Sequence, residues 1–260
     1  MVLSCLLFLC VTACCFVRTA RAGVLEDSSL DLTVTYGEYI WRGFDLLPND
    51  DPAFQPDLYL TLGNTGLYFG AWANFATDKR WEIWDEWDFY FGYTFSVGGD
   101  GRLSTELDLG YIYFHFPEQD SDVDSQEVSL GFRFPGLFRE SPLSIVPYAT
   151  VYYSFAAHEN ETDQEGWWFK LGADFDIPVR LPGGEPDQAL NCYLESFLND
   201  GGASSQVDPG WSHTAIGVET TYTVFGIGVT PSFNYQWTWE DTVNEEDEFW
   251  FLLKLSRTLF

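Results

Sequence analysis

From residue 227 to residue 239, apolar and polar side chains alternate without a break. The odd positions are Ile227, Val229, Pro231, Phe233, Tyr235, Trp237 and Trp239. The even positions are Gly228, Thr230, Ser232, Asn234, Gln236 and Thr238. A period of two belongs to a strand whose two faces meet different surroundings, because successive Cβ atoms point to opposite sides of a sheet. The same period returns over residues 87–97, 103–113, 167–176 and 214–224. Twelve such segments start near residues 30, 57, 67, 86, 103, 126, 143, 167, 189, 213, 227 and 248. Most run for about nine to fourteen residues, the length a tilted strand needs to cross a bilayer.

The connections separate a membrane barrel from a soluble sandwich. Residues 63–66, 98–102 and 225–226 form tight turns, whereas 42–56, 117–126, 156–166, 200–212 and 240–247 are longer and acidic. Short turns on one rim and long loops on the other is the arrangement of outer-membrane barrels; 135–142 and 178–188 are longer than a turn on that rim usually is. In a soluble sandwich or lipocalin-like barrel the apolar face would be the interior. Here that face is aromatic on nearly every segment, as interfacial girdles require. The other face is rich in Gly, Ser, Thr and Asp and poor in Lys, unlike a soluble exterior. The expected fold is all-β, an antiparallel transmembrane barrel of about twelve strands over residues 23–260.

Residues 3–17 are apolar and carry Cys5, Cys10, Cys14 and Cys15, and Ala20-Arg21-Ala22 follows as a small-x-small cleavage pattern. Residues 1–22 therefore read as a secretory signal peptide, too short for a membrane span. Processing as a lipoprotein at Cys14 is the rival, but it leaves apolar Cys15, Phe16 and Val17 at the mature N-terminus. Cleavage after Ala22 leaves a single cysteine, Cys192, so no internal disulfide is available. By strand phase Cys192 shares the lipid side with Leu190, Leu194 and Leu198. With 40 acidic residues against 12 basic ones the net charge is −28, which argues against a nucleic-acid partner.

Three stretches near the N-terminus carry a resemblance to a known family. They are Tyr39-Ile40-Trp41-Arg42-Gly43, Pro52-Ala53-Phe54-Gln55-Pro56, and Gly66-Leu67-Tyr68-Phe69-Gly70-Ala71-Trp72-Ala73. Residues 36–75 resemble the Gcw_chp family of uncharacterised bacterial exported proteins. In that family an aromatic-x-x-Arg-Gly stretch precedes an Asp-Pro-Ala-like loop and a Gly-x-Tyr-x-Gly-x-Trp hairpin. The resemblance implies an outer-membrane barrel and singles out Tyr39, Arg42 and Gly43. It implies no substrate and no catalytic residue.

In a membrane barrel the polar face lines the lumen, since a charge facing lipid at the midplane costs about 2–4 kcal/mol for Arg or Lys. Phase assigns Glu86, Asp88, Glu106, Asp108, Asp174, Asp176 and Glu219 to that face, with Asp31, Asp57, Glu127 and Glu195. Arg133 and Lys170 are its basic members, joined by Lys254. An acidic lumen concentrates cations, so the expected role is a narrow passive channel for cations or small polar solutes. The alternative is a non-conducting barrel, its carboxylates paired with Arg133, Lys170 and tyrosine hydroxyls. Its acidic loops would then bind divalent cations, lipid head groups or a partner. Inward Tyr68, Trp72, Tyr90, Tyr148 and Tyr152 either stack on flat solutes or fill the lumen.

Asp120, Asp122 and Asp124 offer hard oxygen ligands suited to calcium, but without the glycine and terminal glutamate of an EF-hand loop. An enzyme is not expected. Only His115, His158 and His213 are available, and no nucleophile elbow or phosphate loop is present. In a regular strand Ser212 and His213 would point apart. No cofactor is called for. The last segment ends at Phe260, which resembles the signal read by the bacterial barrel-assembly machinery, and outer-membrane lipid would surround the wall.

Overall fold

A computed structural model describes residues 27–47, 51–99, 101–139, 143–158, 165–180, 188–201 and 207–260. The expected signal peptide lies outside the described residues. Twelve strands make the wall: β1 Ser29–Gly37, β2 Ala53–Thr61, β3 Leu67–Ala76, β4 Glu86–Val97, β5 Thr105–His115 and β6 Ser125–Arg133. They continue as β7 Ser144–Ala156, β8 Gly166–Pro178, β9 Ala189–Asn199, β10 Gly210–Glu219, β11 Ile227–Thr238 and β12 Glu248–Thr258. Each pairs antiparallel with its neighbour in sequence, and β1 pairs with β12 from Asp31↔Thr258 to Gly37↔Leu252. That last ladder closes the sheet, which leaves no free edge and satisfies the backbone inside a bilayer.

Alternation sets the wall. Phe89, Phe91 and Phe233 are each 50 % exposed on the outside, whereas Thr230, Ser232, Asn234 and Gln236 are buried within. Neighbouring outward rings meet across strands, Phe91 with Tyr111 at 5.1 Å and Phe233 with Phe251 at 5.2 Å. An apolar exterior this continuous is tolerable only against lipid. Cys192 lies on the outward phase, opposite Phe175 and Val218. Among the described residues no helix is long and apolar enough to cross a membrane.

Inside, tyrosines lie flat over glycines of adjacent strands. A Cβ on Gly70 would stand 2.0 Å from the Tyr90 ring, and one on Gly172 2.5 Å from that of Tyr148. Tyr68 covers Gly92 and Tyr193 covers Gly217 in the same way. These glycines are strand positions where a ring needs the room of a missing side chain.

The boundaries differ from the sequence reading in several places, and the run over 214–224 is broken after Glu219, a short strand Tyr222–Val224 following it. β2 begins at Ala53 rather than near residue 57, so four residues assigned to a loop belong to the wall. The β2–β3 ladder skips Gln55 and Pro56 and resumes in the same register at Asp57↔Trp72. Proline lacks an N–H, and that gap asks for none. β5 begins at Thr105, and Leu103 is 78 % exposed in the preceding turn. Residues 77–85 form a further connection on the long-loop rim, containing a 3₁₀ helix at Lys79–Trp84.

Candidate functional site

The loop after β1 does not stay on the rim. Its residues Ile40–Trp41 and Phe44–Asp45 pair as a small hairpin, closed by the Leu46 amide donating to the Tyr39 carbonyl at 3.1 Å. Arg42 and Gly43 make the turn with φ of 48° and 95°. Positive φ at both central residues is the turn that matches strand twist, and the left-handed region costs a non-glycine residue about 1–3 kcal/mol. Contacts at the tip repay that cost. Gly43 is required by close approach: a Cβ there would stand 2.6 Å from His213 Nδ1.

This hairpin spans the lumen from the β1–β2 side to the opposite wall. Arg42 Nη2 pairs with Glu127 on β6 at 2.6 Å, with side chains only 10 % and 4 % exposed. Its guanidinium lies 4.8 Å from the Trp41 ring, 4.3 Å from Tyr152 and 5.4 Å from Trp168. Ser154 supports the pair by donating to Glu127 Oε2 at 2.8 Å. At the tip, Gln236 on β11 donates to the Gly43 carbonyl at 2.9 Å. At the base, the Tyr39 hydroxyl donates to Glu86 on β4. Burial, and then the charges of Glu86 and Asp88, raise the Tyr39 hydroxyl well above the ordinary phenol range and keep it a donor. Leu47 is fully buried behind the hairpin. The family-motif residues Tyr39, Arg42 and Gly43 are therefore the three docking points of a lumenal plug.

Strand direction divides the predicted lumen residues between two levels. Glu86 and Asp88 lie on the loop side, under the hairpin and buried. Lys170 sits near mid-height, 3.6 Å from Glu195. Glu106, Asp108, Arg133, Asp174, Asp176 and Glu219 line the half that carries the tight turns and the chain termini. There Arg133 pairs with Asp174 at 2.7 Å and with Glu106 at 3.8 Å, and Lys254 pairs with Glu219. Asp57, Asp108 and Asp176 instead take neutral donors: Tyr90 to Asp57 at 2.7 Å, Tyr68 and Thr94 to Asp108 at 2.9 and 2.7 Å, and Asn191 to Asp176 at 2.7 Å. Two open cavities lie in this half among the described residues. One of about 590 Å³ is lined by Asp108, Arg133, Tyr148, Lys170 and Asp174. The other, of about 440 Å³, is lined by Asp176, Tyr193, Glu219 and Lys254.

Asp124 turns away from Asp120 and Asp122. It accepts from the Tyr113 hydroxyl at 2.7 Å, from the Phe116 amide at 3.0 Å, and bonds His115 at 2.9 Å. Burial raises its pKa, but the bonds from Tyr113, His115 and Phe116 outweigh that and hold it below the usual carboxylate range. Among the described residues no group of three His, Cys, Asp or Glu side chains is placed to hold a metal ion.

Ser212 and His213 do not point apart as a regular strand requires. The β9–β10 ladder jumps from Phe197↔His213 to Leu198↔Trp211, so Ser212 is a bulge and both side chains turn inward. They bond at 3.0 Å, with His213 stacked 4.6 Å from Phe197 and both residues almost fully buried. Sequence reasoning also missed the plug itself. Its signal was present: Tyr39, Trp41, Phe44, Leu46 and Leu47 are too apolar for an exposed acidic loop.

A sequence profile described as a bacterial protein of unknown function, Gcw_chp, matches residues 26–179. No curated protein matches the chain. Among solved structures, the KdgM porin aligns with a TM-score of 0.53 at 7 % identity, covering 89 % of this chain and 99 % of its own. The NanC porin aligns at 0.53 and 9 % identity, covering 88 % and 100 %. An outer-membrane channel from Pseudomonas putida F1 aligns at 0.52 and 10 % identity, covering 92 % and 97 %. At such identities the likeness speaks for the fold: a closed twelve-stranded barrel of the porin type. With its lipid-facing exterior, this is a barrel of the bacterial outer membrane.

Proposed function

The chain belongs to the Gcw_chp family of bacterial proteins of unknown function, and from that premise we propose that it is a narrow passive channel for cations or small polar solutes, constricted by the hairpin. One observation carries this reading. Asp108 and Asp176 are held by hydroxyl and amide donors rather than by cations, and both line the open cavities of the lumen. Among the described residues four cations face the interior, Arg42, Arg133, Lys170 and Lys254, and each is already committed to a carboxylate. The balance favours entry of cations over anions. Passage of this kind needs no catalytic group, and the Ser212–His213 pair is walled off behind Gly43. The outward row Phe249, Phe251, Leu253, Leu255 and Leu259, with the terminal Phe260 one residue out of phase beside it, is the feature the barrel-assembly machinery would read.

The test is the reversal potential of the folded chain in a planar bilayer under a potassium chloride gradient. Replacing Asp108 and Asp176 together by Asn should lower the cation preference; unchanged selectivity would remove them from the pathway. The filled outer half of the lumen favours a second reading, a non-conducting barrel whose exposed loop acids, Asp120 and Asp122 among them, bind divalent cations at the surface. That reading expects no current from inserted protein and a loss of calcium binding when Asp120 and Asp122 become Asn.

A further inference from the structure

Between the hairpin and the loops beside it lies a cavity of about 250 Å³ on the outer side of the plug. We propose that it is a binding site for one small organic cation, an amine or a quaternary ammonium. Its walls are aromatic and set at steep angles to one another. Trp41 meets Phe114 at 82° and Trp168 at 70°, and Phe44 meets Trp168 at 78°. Trp84 closes the side formed by the β3–β4 loop, and the Glu86 carboxylate is part of the lining. Arg42 already lies over Trp41 and Trp168, so the rings left to a ligand are those of Phe44, Phe114 and Trp84, and the negative face of an aromatic ring attracts a cation that has shed its water.

The chemistry of the lining selects the ligand class. A hydrated metal ion needs several oxygen ligands, and the described residues gather no such set. A neutral apolar solute would gain nothing from the Glu86 carboxylate, which accepts from the Tyr39 hydroxyl but pairs with no cationic counterpart among the described residues. A weakly hydrated organic cation uses both the rings and the carboxylate. Arg42 does not supply that counterpart, because its own charge is spent on Glu127. The approach is acidic too: Glu82, Asp85 and Glu118 stand on the two neighbouring loops, which are tied together by Gln119 donating to the Ile83 carbonyl at 2.7 Å. At about 250 Å³ the cavity is smaller than a drug-sized pocket and suits a compact head group.

The site stands whether or not the barrel conducts, so it is tested on folded full-length protein in detergent, by calorimetric titration. The probes are choline, tetramethylammonium and the neutral choline isostere 3,3-dimethylbutan-1-ol. The cations should bind saturably, and choline at least about tenfold more tightly than the alcohol, the scale of a desolvated cation–π contact. Trp84→Ala should weaken choline by about tenfold, and Trp84→Phe should restore most of it, since a phenyl face also attracts a cation. Glu86→Gln should erase the preference for choline over the alcohol. Trp84 lies in a rim loop, and heat-modifiable gel mobility reports that its variants stay folded. Equal affinity for the alcohol, no saturable binding of either cation, or a Trp84→Ala protein that binds choline as before would each overturn the proposal. Current measured separately in a bilayer decides the channel reading, so the two can fail independently.

Discussion

The outer and periplasmic halves of the lumen are built from the same twelve strands with the same inward polar phase, yet they are filled in opposite ways. In the outer half a two-stranded hairpin lies across the bore, and Glu86, Asp88, Glu127, His213 and Gln236 become buried residues. In the periplasmic half equivalent positions such as Glu106, Arg133 and Asp174 remain about 40 % exposed along open cavities. The wall therefore sets which side chains point inward, and a loop decides which of them meet water. Where a lumen is neither narrow enough for side chains to fill nor wide enough to stay open, one short insertion settles the matter.

Breaking the ion pair at the hairpin tip should have the largest effect. Arg42→Ala leaves Glu127 buried with Ser154 as a neutral donor, and stranding one partner of a buried pair costs about 3–5 kcal/mol. That cost falls on hairpin docking rather than on the wall. Hydrogen exchange at the Leu46 amide should speed up by orders of magnitude while amides of β8 and β9 stay protected. Equal loosening of hairpin and wall would mean that the two halves are not separable.

The periplasmic half is sharpened by a smaller change. Gly172→Ala forces the Tyr148 ring off its seat and, with it, the bond to Glu195 at 2.9 Å. Overpacking of this kind costs about 1–3 kcal/mol, read as a lower denaturant midpoint, while Leu46 exchange should not move.

The smallest effect concerns the rim strut at Asp124. Its pKa is depressed in the folded protein, so the stability it contributes is complete above the ordinary carboxylate range. That contribution is lost only as pH falls through and below that range. Exchange at the Phe116 amide should therefore be flat from neutral pH down to mild acid and rise below it, once adjusted for intrinsic exchange. A rise already at neutral pH would contradict the assignment of the strut to the Asp124 carboxylate.

Much of the wall was legible because alternation is a local property that no tertiary contact overrides here. Phe89 and Phe91 lie outward, Asp88 and Tyr90 inward, and the run from Ile227 to Thr238 keeps its phase throughout. The pairing of Arg133, Lys170 and the tyrosines with lumenal carboxylates also followed from the types of residue on one face. What stayed hidden was long-range. Arg42 and Glu127 are 85 residues apart, and Gln236 reaches Gly43 across 193. Neither spacing leaves a periodic trace. The bulge at Ser212 was equally invisible, since one extra residue reverses a phase without changing composition.

The central claim is that residues 38–47 hold the outer half of the lumen shut. Single-channel conductance of the intact chain, set against a variant in which residues 40–45 are replaced by a short Gly-Ser link, tests it most directly. The account predicts small or no current from the intact barrel and steps at least several-fold larger from the variant, with cation preference retained from Asp108 and Asp176. Equal conductance from two demonstrably folded proteins would contradict it and place the constriction elsewhere along the bore.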